Sequence, residues 1–286
     1  MSDIDPDNRI AFQGVPGAYG HLSCSTIYPD MEAIACDTFA DALTMVRDGD
    51  AALAMIPIEN SLGGRVADIH HLLPESGLYI IGEHFQPVMH QLLGVPGAIL
   101  SDVKAVHSHE QALSQCRGLT RDLGIEPVIH ADTAGSAKMI AELGDKTQAS
   151  IASSLAGEIY GLEVLRDRVE DRIGNTTRFI IMSRQRQDPD PKNGSCMMSF
   201  VFQVRSQPAA LYKALGGFAT NGINVTKLES YITDASFEAA QFYIDIEGHP
   251  DEARVARAIE ELQFFSAKLK ILGVYPTNPY RRQYGT

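Results

Sequence analysis

Residues 51–64 read AALAMIPIENSLGG. The apolar run at 51–56 has the length and composition of a buried strand. It ends in the polar cluster Glu59-Asn60-Ser61 and the glycine pair Gly63-Gly64, before a helical pattern. In open α/β sheets, the C-terminal ends of strands are where ligands sit. This cluster offers amide and hydroxyl donors and room for close backbone approach. Taken alone, it reads as well as a polar loop carrying a helix cap.

The same rhythm repeats outward from this segment. Strand-like runs fall at 9–13, 51–56, 78–82, 90–94, 103–106, 127–129, 150–152 and 178–183. Helical patterns lie between them. One carries Phe39, Ala42, Leu43 and Val46 on one face, with Thr38 as N-cap; another follows Ser108, where Ser108 and Gln111 form an S-x-x-Q capping box. Alternating strands and helices predict parallel sheet covered by helices. Residues 184–196, RQRQDPDPKNGSC, lack an apolar period and read as a linker. Beyond it, Phe200, Phe202 and Val204 alternate as a strand, and Pro208 opens a helix with Leu211, Leu215 and Phe218 on one face. A turn at Asn221-Gly222, a strand over 223–232, a turn at 233–236 and a strand over 239–246 follow. A helix from His249 and a strand over 269–275 complete the order βαββαβ, the split ferredoxin-like motif. The tail PTNPYRRQYGT is expected to be mobile or to dock on a partner subunit.

Composition narrows the function classes. The 286 residues suit two domains, and 44% hydrophobic with 21% charged residues is the balance of a soluble globular protein. The four cysteines, Cys24, Cys36, Cys116 and Cys196, form no CxxC and read as reduced thiols of a cytoplasmic protein. The start, MSDIDPDN, is acidic and lacks an apolar segment, unlike a secretory signal. No apolar run approaches a membrane span. A net charge of −12 argues against nucleic acid and anionic membranes as partners.

Four more polar clusters stand at strand ends. GVPGAY at 14–19 is a glycine turn that could hold an anion, but its spacing is not that of a dinucleotide fingerprint. VHSHEQAL at 106–113 leads into a helix whose free N–H groups could receive a carboxylate; His107 and His109 have no third ligand at metal spacing, so no metal is expected. ADTAGSA at 131–137 starts another helix, with Thr133 as cap. GNTTRFI at 174–180 brings two threonines and Arg178 into an apolar strand. Short donors at several strand ends, with few catalytic carboxylates, suit an anionic small molecule held without metal or hydride chemistry.

In this order the segments resemble the prephenate dehydratase family. Its G-x-x-G-(T/A)-(Y/F), P-I-E-N-S-x-x-G, S-H-P-Q-A-L-x-Q-C, S-T-A-x-A-A and N-x-T-R-F motifs match GVPGAY, PIENSLGG, SHEQALSQC, DTAGSA and NTTRF across roughly the first 183 residues. Departures are Ala18 for Thr, Glu110 for Pro, and Asp132 and Ser136 for Ser and Ala. The downstream region resembles an ACT domain, whose P-G-A-L and G-I-N-(L/V)-T-K-(I/L)-E-S-R-P motifs match Pro208 to Leu211 and Gly222 to Ile232. Ala209 stands in place of Gly, and Tyr231-Ile232 in place of Arg-Pro.

The resemblance implies a two-lobed, type II periplasmic-binding-protein-like α/β catalytic domain at 1–183, with a second lobe at about 87–173 and crossings near 84–89 and 171–175. A linker at 184–196, a ferredoxin-like α+β ACT domain at 197–276 and a tail at 277–286 complete the organisation. It implies conversion of prephenate to phenylpyruvate with no cofactor, and arogenate dehydratase or a non-catalytic amino-acid sensor as alternatives. Thr177 is the implied catalytic donor. Asn60, Ser61, Gly64, Ser108, Gln111, Thr133, Arg178 and Phe179 fall at substrate-binding positions, with Arg178 either clamping a carboxylate or bracing the Thr177 loop. Ala209, Leu211, Asn221, Gly222, Ile223, Asn224, Glu229 and Ser230 border an L-phenylalanine effector site. ACT modules pair, so a homodimer or homotetramer is expected. Helix N-termini, about 0.3–1 kcal/mol each and up to ~2 when partly buried, must outweigh the long-range repulsion of a dianion.

Overall fold

The computed structural model describes residues 5–66, 69–205, 207–232 and 240–284. It resolves into two compact units: Met1–Ala42, Met55–Arg65 and Phe85–Phe179 form one, and Leu43–Ala54, Val66–His84 and Ile180–Thr286 the other.

The chain opens with β1 (Arg9–Gln13), α1 (Tyr19–Ile27), β2 (Glu32–Cys36), α2 (Phe39–Asp48), β3 (Leu53–Asn60), β4 (Gly64–Arg65), α3 (Ile69–Leu72) and β5 (Tyr79–Pro87). Thr38 caps α2 as expected: its Oγ1 accepts from Asp41 N at 3.1 Å while Asp41 Oδ2 accepts from Thr38 N at 3.1 Å. The chain then builds β6 (Gln91–Gly94), β7 (Ala105–Ser108), α4 (Glu110–Gln115), α5 (Arg117–Leu123), β8 (Glu126–Ile129), α6 (Thr133–Leu143), β9 (Gln148–Ala152), α7 (Ser154–Tyr160) and β10 (Glu163–Arg166). It returns through β11 (Thr176–Ser183), and the first sheet runs β2-β1-β3-β11-β5, with β4 appended to β3. A strand formed after the second sheet is thus inserted between two from before it, the type II periplasmic-binding-protein topology. The second sheet runs β10-β6-β9-β7-β8. It is mixed: β7 pairs parallel with β8 and β9, whereas β6 pairs antiparallel with β9 and β10. The expectation of parallel sheet is corrected at β6, which runs against the other four strands where the chain crosses into this sheet. The crossings are laced together by Val88 N to Asn175 O at 2.8 Å and Val169 N to His90 O at 2.9 Å.

The glycine turn at 14–19 does not present its amides to an anion. Gly17 N donates to His21 Nδ1 at 3.0 Å, and Gly17 O accepts from Ser153 Oγ at 2.5 Å. Gly17 has φ +89°, and a Cβ there would lie 2.7 Å from Ala156 Cα. Only glycine permits this approach of the turn to α7.

In the other unit, β12 (Cys196–Val204), α8 (Ala210–Thr220), β13 (Val225–Ile232), β14 (Ala240–Glu247), α9 (Ala253–Phe265) and β15 (Ser266–Pro276) form an antiparallel sheet of order β13-β14-β12-β15. This is the ferredoxin-like arrangement, with Met198, Phe200, Phe202, Phe218, Ile244, Val255 and Leu262 in its core. The turn at 233–236 lies outside the described residues. Helix α8 begins at Ala210, two residues after Pro208, because Ala209 takes φ +60° and serves as its N-cap. The segment expected to be free linker contains one 3-10 turn, Pro191–Asn193.

The tail is a correction. Instead of hanging free or seeking a partner subunit, it docks on β5 of its own chain. It ends in α10 (Tyr280–Tyr284), and Arg281 reaches Glu83 through Nε and Nη2 at 2.7 and 2.9 Å. Asn278 Nδ2 donates to Glu83 O at 3.0 Å. The Glu83 side chain is 0% exposed.

Two stability outcomes are expected. Gly17→Ala combines positive φ with backbone overlap and should cost about 2–4 kcal/mol, read as a lower Tm. Arg281→Ala strands a buried carboxylate and should cost about 3–5 kcal/mol in urea unfolding, with Glu83→Gln in the same chain restoring part of it.

Candidate active site

One amide sets the direction of every hydrogen bond around Thr177. Asn60, the last residue of β3, accepts from Leu62 N at 3.0 Å and Gly63 N at 2.6 Å through Oδ1. Backbone N–H groups donate only, so the Asn60 Nδ2 must face the other way. It donates to Asn175 Oδ1 at 2.7 Å and to Thr177 Oγ1 at 3.0 Å. Thr177 Oγ1 is thereby an acceptor towards Asn60, and its own proton is left for the space beyond.

That space is a hollow of about 220 Å³ lined by Thr177, Asn60, Gln111, Thr133, His90 and Asp132, among others. The polar chain continues behind it. Asn175 Nδ2 donates to Gln115 Oε1 at 2.9 Å, and the same oxygen meets His90 Nε2 at 3.2 Å. His90 Nε2 therefore carries a proton, and Nδ1 faces Tyr19 Oη at 3.0 Å. Tyr19 Oη also lies 2.8 Å from Met89 O, so its one proton has two acceptors to choose from. Burial holds the His90 imidazole below its ordinary value, outweighing the opposing effects of Gln115 and Glu170. Burial, reinforced by Glu170 and Cys116, pushes the Tyr19 phenol well above 10. Cys116 is pushed up to about 12, chiefly by burial, which leaves it a thiol and a poor nucleophile.

Of the residues singled out in the sequence, Thr177, Asn60, Gln111 and Thr133 line this hollow. Ser61 instead stitches its loop to β11, accepting from Thr176 N at 3.0 Å and donating to Gly174 O at 3.2 Å. Gly64, at φ +76°, opens β4 and is exposed. Ser108 is 0% exposed and donates to Ile151 O at 2.6 Å. The capping box is a correction: His109 caps α4, its Nδ1 accepting from Gln111 N at 3.3 Å, because Ser108 is still inside β7. Thr133 likewise does not cap α6; Asp132 does, accepting from Gly135 N at 2.6 Å. Arg178 is 1% exposed and pairs with Glu59 at 2.9 Å, away from the hollow; Phe179 is buried beside it in the strand.

Tyr19, His90, Gln115, Asn175 and Asp132 were not singled out. Gln115 stands four residues after Gln111, one turn along the same helical face, and that spacing was its available signal. The close approach expected at Gly63-Gly64 is seen at Gly63: a Cβ on it would overlap Gln111 Nε2, so its bareness is what lets that amide reach the loop. Among the described residues no three His, Cys, Asp or Glu side chains gather where a metal could be held. No described helix is long and apolar enough to cross a membrane.

The expected effector residues fall at opposite ends of α8. Ala209 and Leu211 stand at its start, and Asn221, Gly222, Ile223 and Asn224 follow its end; eleven residues of helix place about 16 Å between the two groups. Asn221 caps the helix, Nδ2 donating to Gly217 O at 2.8 Å. Ile223 is buried, and Asn224 O accepts from Glu247 N at 3.0 Å. Glu229 and Ser230 lie on β13, with Glu229 Oε1 accepting from Lys227 Nζ at 3.2 Å.

Residues 10–187 match the family model for prephenate dehydratase. The chain is 53% identical over 98% of its length, and 100% of the relative's, to a bifunctional N-acyl-homoserine lactone acylase/prephenate dehydratase of Komagataeibacter europaeus. It is 38% identical to arogenate dehydratase/prephenate dehydratase 6, chloroplastic, of Arabidopsis thaliana, over 96% of this chain and 72% of that one. Among solved structures, prephenate dehydratase of Arthrobacter aurescens in complex with L-Phe superposes with a TM-score of 0.86 at 32% identity, covering 94% of this chain and 90% of that one. On the polar relay around Thr177 and these matches together, the chain belongs to the prephenate dehydratase family.

Proposed function

We propose that the chain is a cytoplasmic carbon–oxygen lyase that converts prephenate to phenylpyruvate, carbon dioxide and water. The observation that carries this is the 3.0 Å hydrogen bond from Asn60 Nδ2 to Thr177 Oγ1 at the wall of the hollow, which leaves the threonine proton available to a ligand there. In the reaction the electron pair of the ring–carboxylate bond flows into the ring as carbon dioxide leaves. The ring carbon–hydroxyl bond breaks with its pair on oxygen, and aromaticity is gained. The departing hydroxide needs a donor as charge develops, and takes a proton from solvent to leave as water. Thr177 supplies that donor, and Asn60, held by two backbone amides, keeps it from turning away. Gln111 and Thr133 seat the substrate from the α4 and α6 side. Arg178 acts as a brace, since Glu59 occupies its guanidinium.

In this reading residues 1–183 are catalytic, 184–196 link and 197–276 form an ACT module, with the tail clasping β5. The L-Phe complex of the Arthrobacter relative supports phenylalanine as effector. Because α8 holds the two groups of effector residues apart, a second copy in a homodimer or homotetramer would complete the site. The acylase named for the Komagataeibacter relative is stated of that protein alone.

Purified protein given prephenate without added metal should release phenylpyruvate. Thr177→Ala should lose about 10²–10³-fold in kcat with a smaller change in KM, and Thr177→Ser should recover much of it. Binding without turnover in the unaltered protein would favour a sensor instead. The pH profile follows from His90, held neutral by burial. Its value is lowered from 6.5, so proton uptake starts only below pH 6.5, and the stability due to the neutral ring is full above 6.5 and lost as pH falls through the lowered value. Protonation turns Nδ1 from acceptor to donor and sends the Tyr19 proton to Met89 O. Turnover, corrected for spontaneous loss of prephenate, should stay flat above pH 6.5 and fall below it; His90→Asn should displace that acid limb.

A further inference from the structure

The hollow beside Thr177 contains a carboxylate that dehydration itself does not use. Asp132 lines it, in a position where the resembling motif carries serine. Its Oδ1 accepts from Gly135 N at 2.6 Å, while Oδ2 has no hydrogen-bond partner among the described residues. An ionised carboxylate offers about four acceptor sites, so the cap leaves Asp132 with capacity to spare. No Lys or Arg stands among the described residues lining the same hollow. An adjoining hollow of about 390 Å³ shares Gln111 and Gln115 with it and brings in Arg172.

This charge pattern favours a ligand that brings a cationic group to the Asp132 side of the hollow. With the substrate's side chain seated at Asp132, a pyruvyl group would bring a keto oxygen and a carboxylate there and gain nothing from a further anion. An alanyl side chain differs only by an ammonium in place of the keto oxygen. That ammonium gives Asp132 an opposite charge and a donor at once.

We propose that Asp132 is a specificity-determining residue that receives the side-chain ammonium of L-arogenate, so that the site takes this amino substrate as well as prephenate. The proposal rests on the dehydratase reading above. Serine at this position can still cap α6, so the helix survives the substitution that removes the charge. Asparagine keeps the shape and removes only the charge.

The test is steady-state kinetics of the full chain on L-arogenate and on prephenate, for the unaltered protein, Asp132→Ser and Asp132→Asn. Both variants should lower the ratio of kcat/KM for arogenate to that for prephenate by tenfold or more, with unchanged Tm. A ratio that moves less than fivefold in Asp132→Asn, or moves the other way, overturns the assignment. Calorimetric binding of both compounds to Thr177→Ala, with and without Asp132→Asn, separates the two readings. If the unaltered protein turns over neither compound, the dehydratase assignment fails, and the shift in relative affinity still decides the role of Asp132 by the same fivefold limit.

Discussion

The site depends on two backbone amides that can only donate. Leu62 N and Gly63 N fix the Asn60 oxygen, and from that point each amide in the relay has one permitted orientation. Asn175 and Gln115 could otherwise be flipped at little cost, because their oxygen and nitrogen are nearly the same size. Anchoring the series at a peptide group turns six side chains into one directed array. Its end, at His90 and Tyr19, is where the orientation can change, because an imidazole and a phenol can exchange donor and acceptor roles. In the proposed reaction, preorganisation of this kind is what would let a neutral threonine serve as donor without a neighbouring base.

Charge is distributed with corresponding economy. The one fully buried guanidinium of the motif region, Arg178, is neutralised by Glu59, which spares the interior an uncompensated cation. Two helix starts facing the hollow have one amide each taken up by His109 and Asp132. Less of the helix-terminus field is therefore available to an anion than an uncapped end would supply. Hydroxyl and amide side chains make up most of the polar lining of the hollow, and directional hydrogen bonds can discriminate between ligands that differ by a single group.

Much of the fold was legible in the residues. The run at 9–13 is β1, and the βαββαβ order after residue 196 follows its apolar periods. What escaped were β2, EAIAC, and β10, EVLR, which are short sheet-edge strands whose patterning is too weak to stand out from loop. The mixed pairing of the second sheet escaped because strand direction is set by where the chain crosses, a long-range matter that local periodicity does not record. In the site, Thr177, Asn60, Gln111 and Thr133 were legible because motif and strand end coincide. Ser108 misled by one residue: β7 runs through it, which turns its hydroxyl into the sheet and moves the cap to His109. Arg178 misled because its partner, Glu59, is 119 residues away in the chain and adjacent only after folding.

The clasp between Arg281 and Glu83 closes a separation of 198 residues. On a ribosome adding about 5–20 residues per second, the guanidinium emerges on the order of ten to forty seconds after the carboxylate it neutralises. During that interval β5 carries an acidic side chain that its folded surroundings exclude from water. A nascent chain halted before Arg281 therefore lacks the guanidinium that meets this carboxylate in the folded chain.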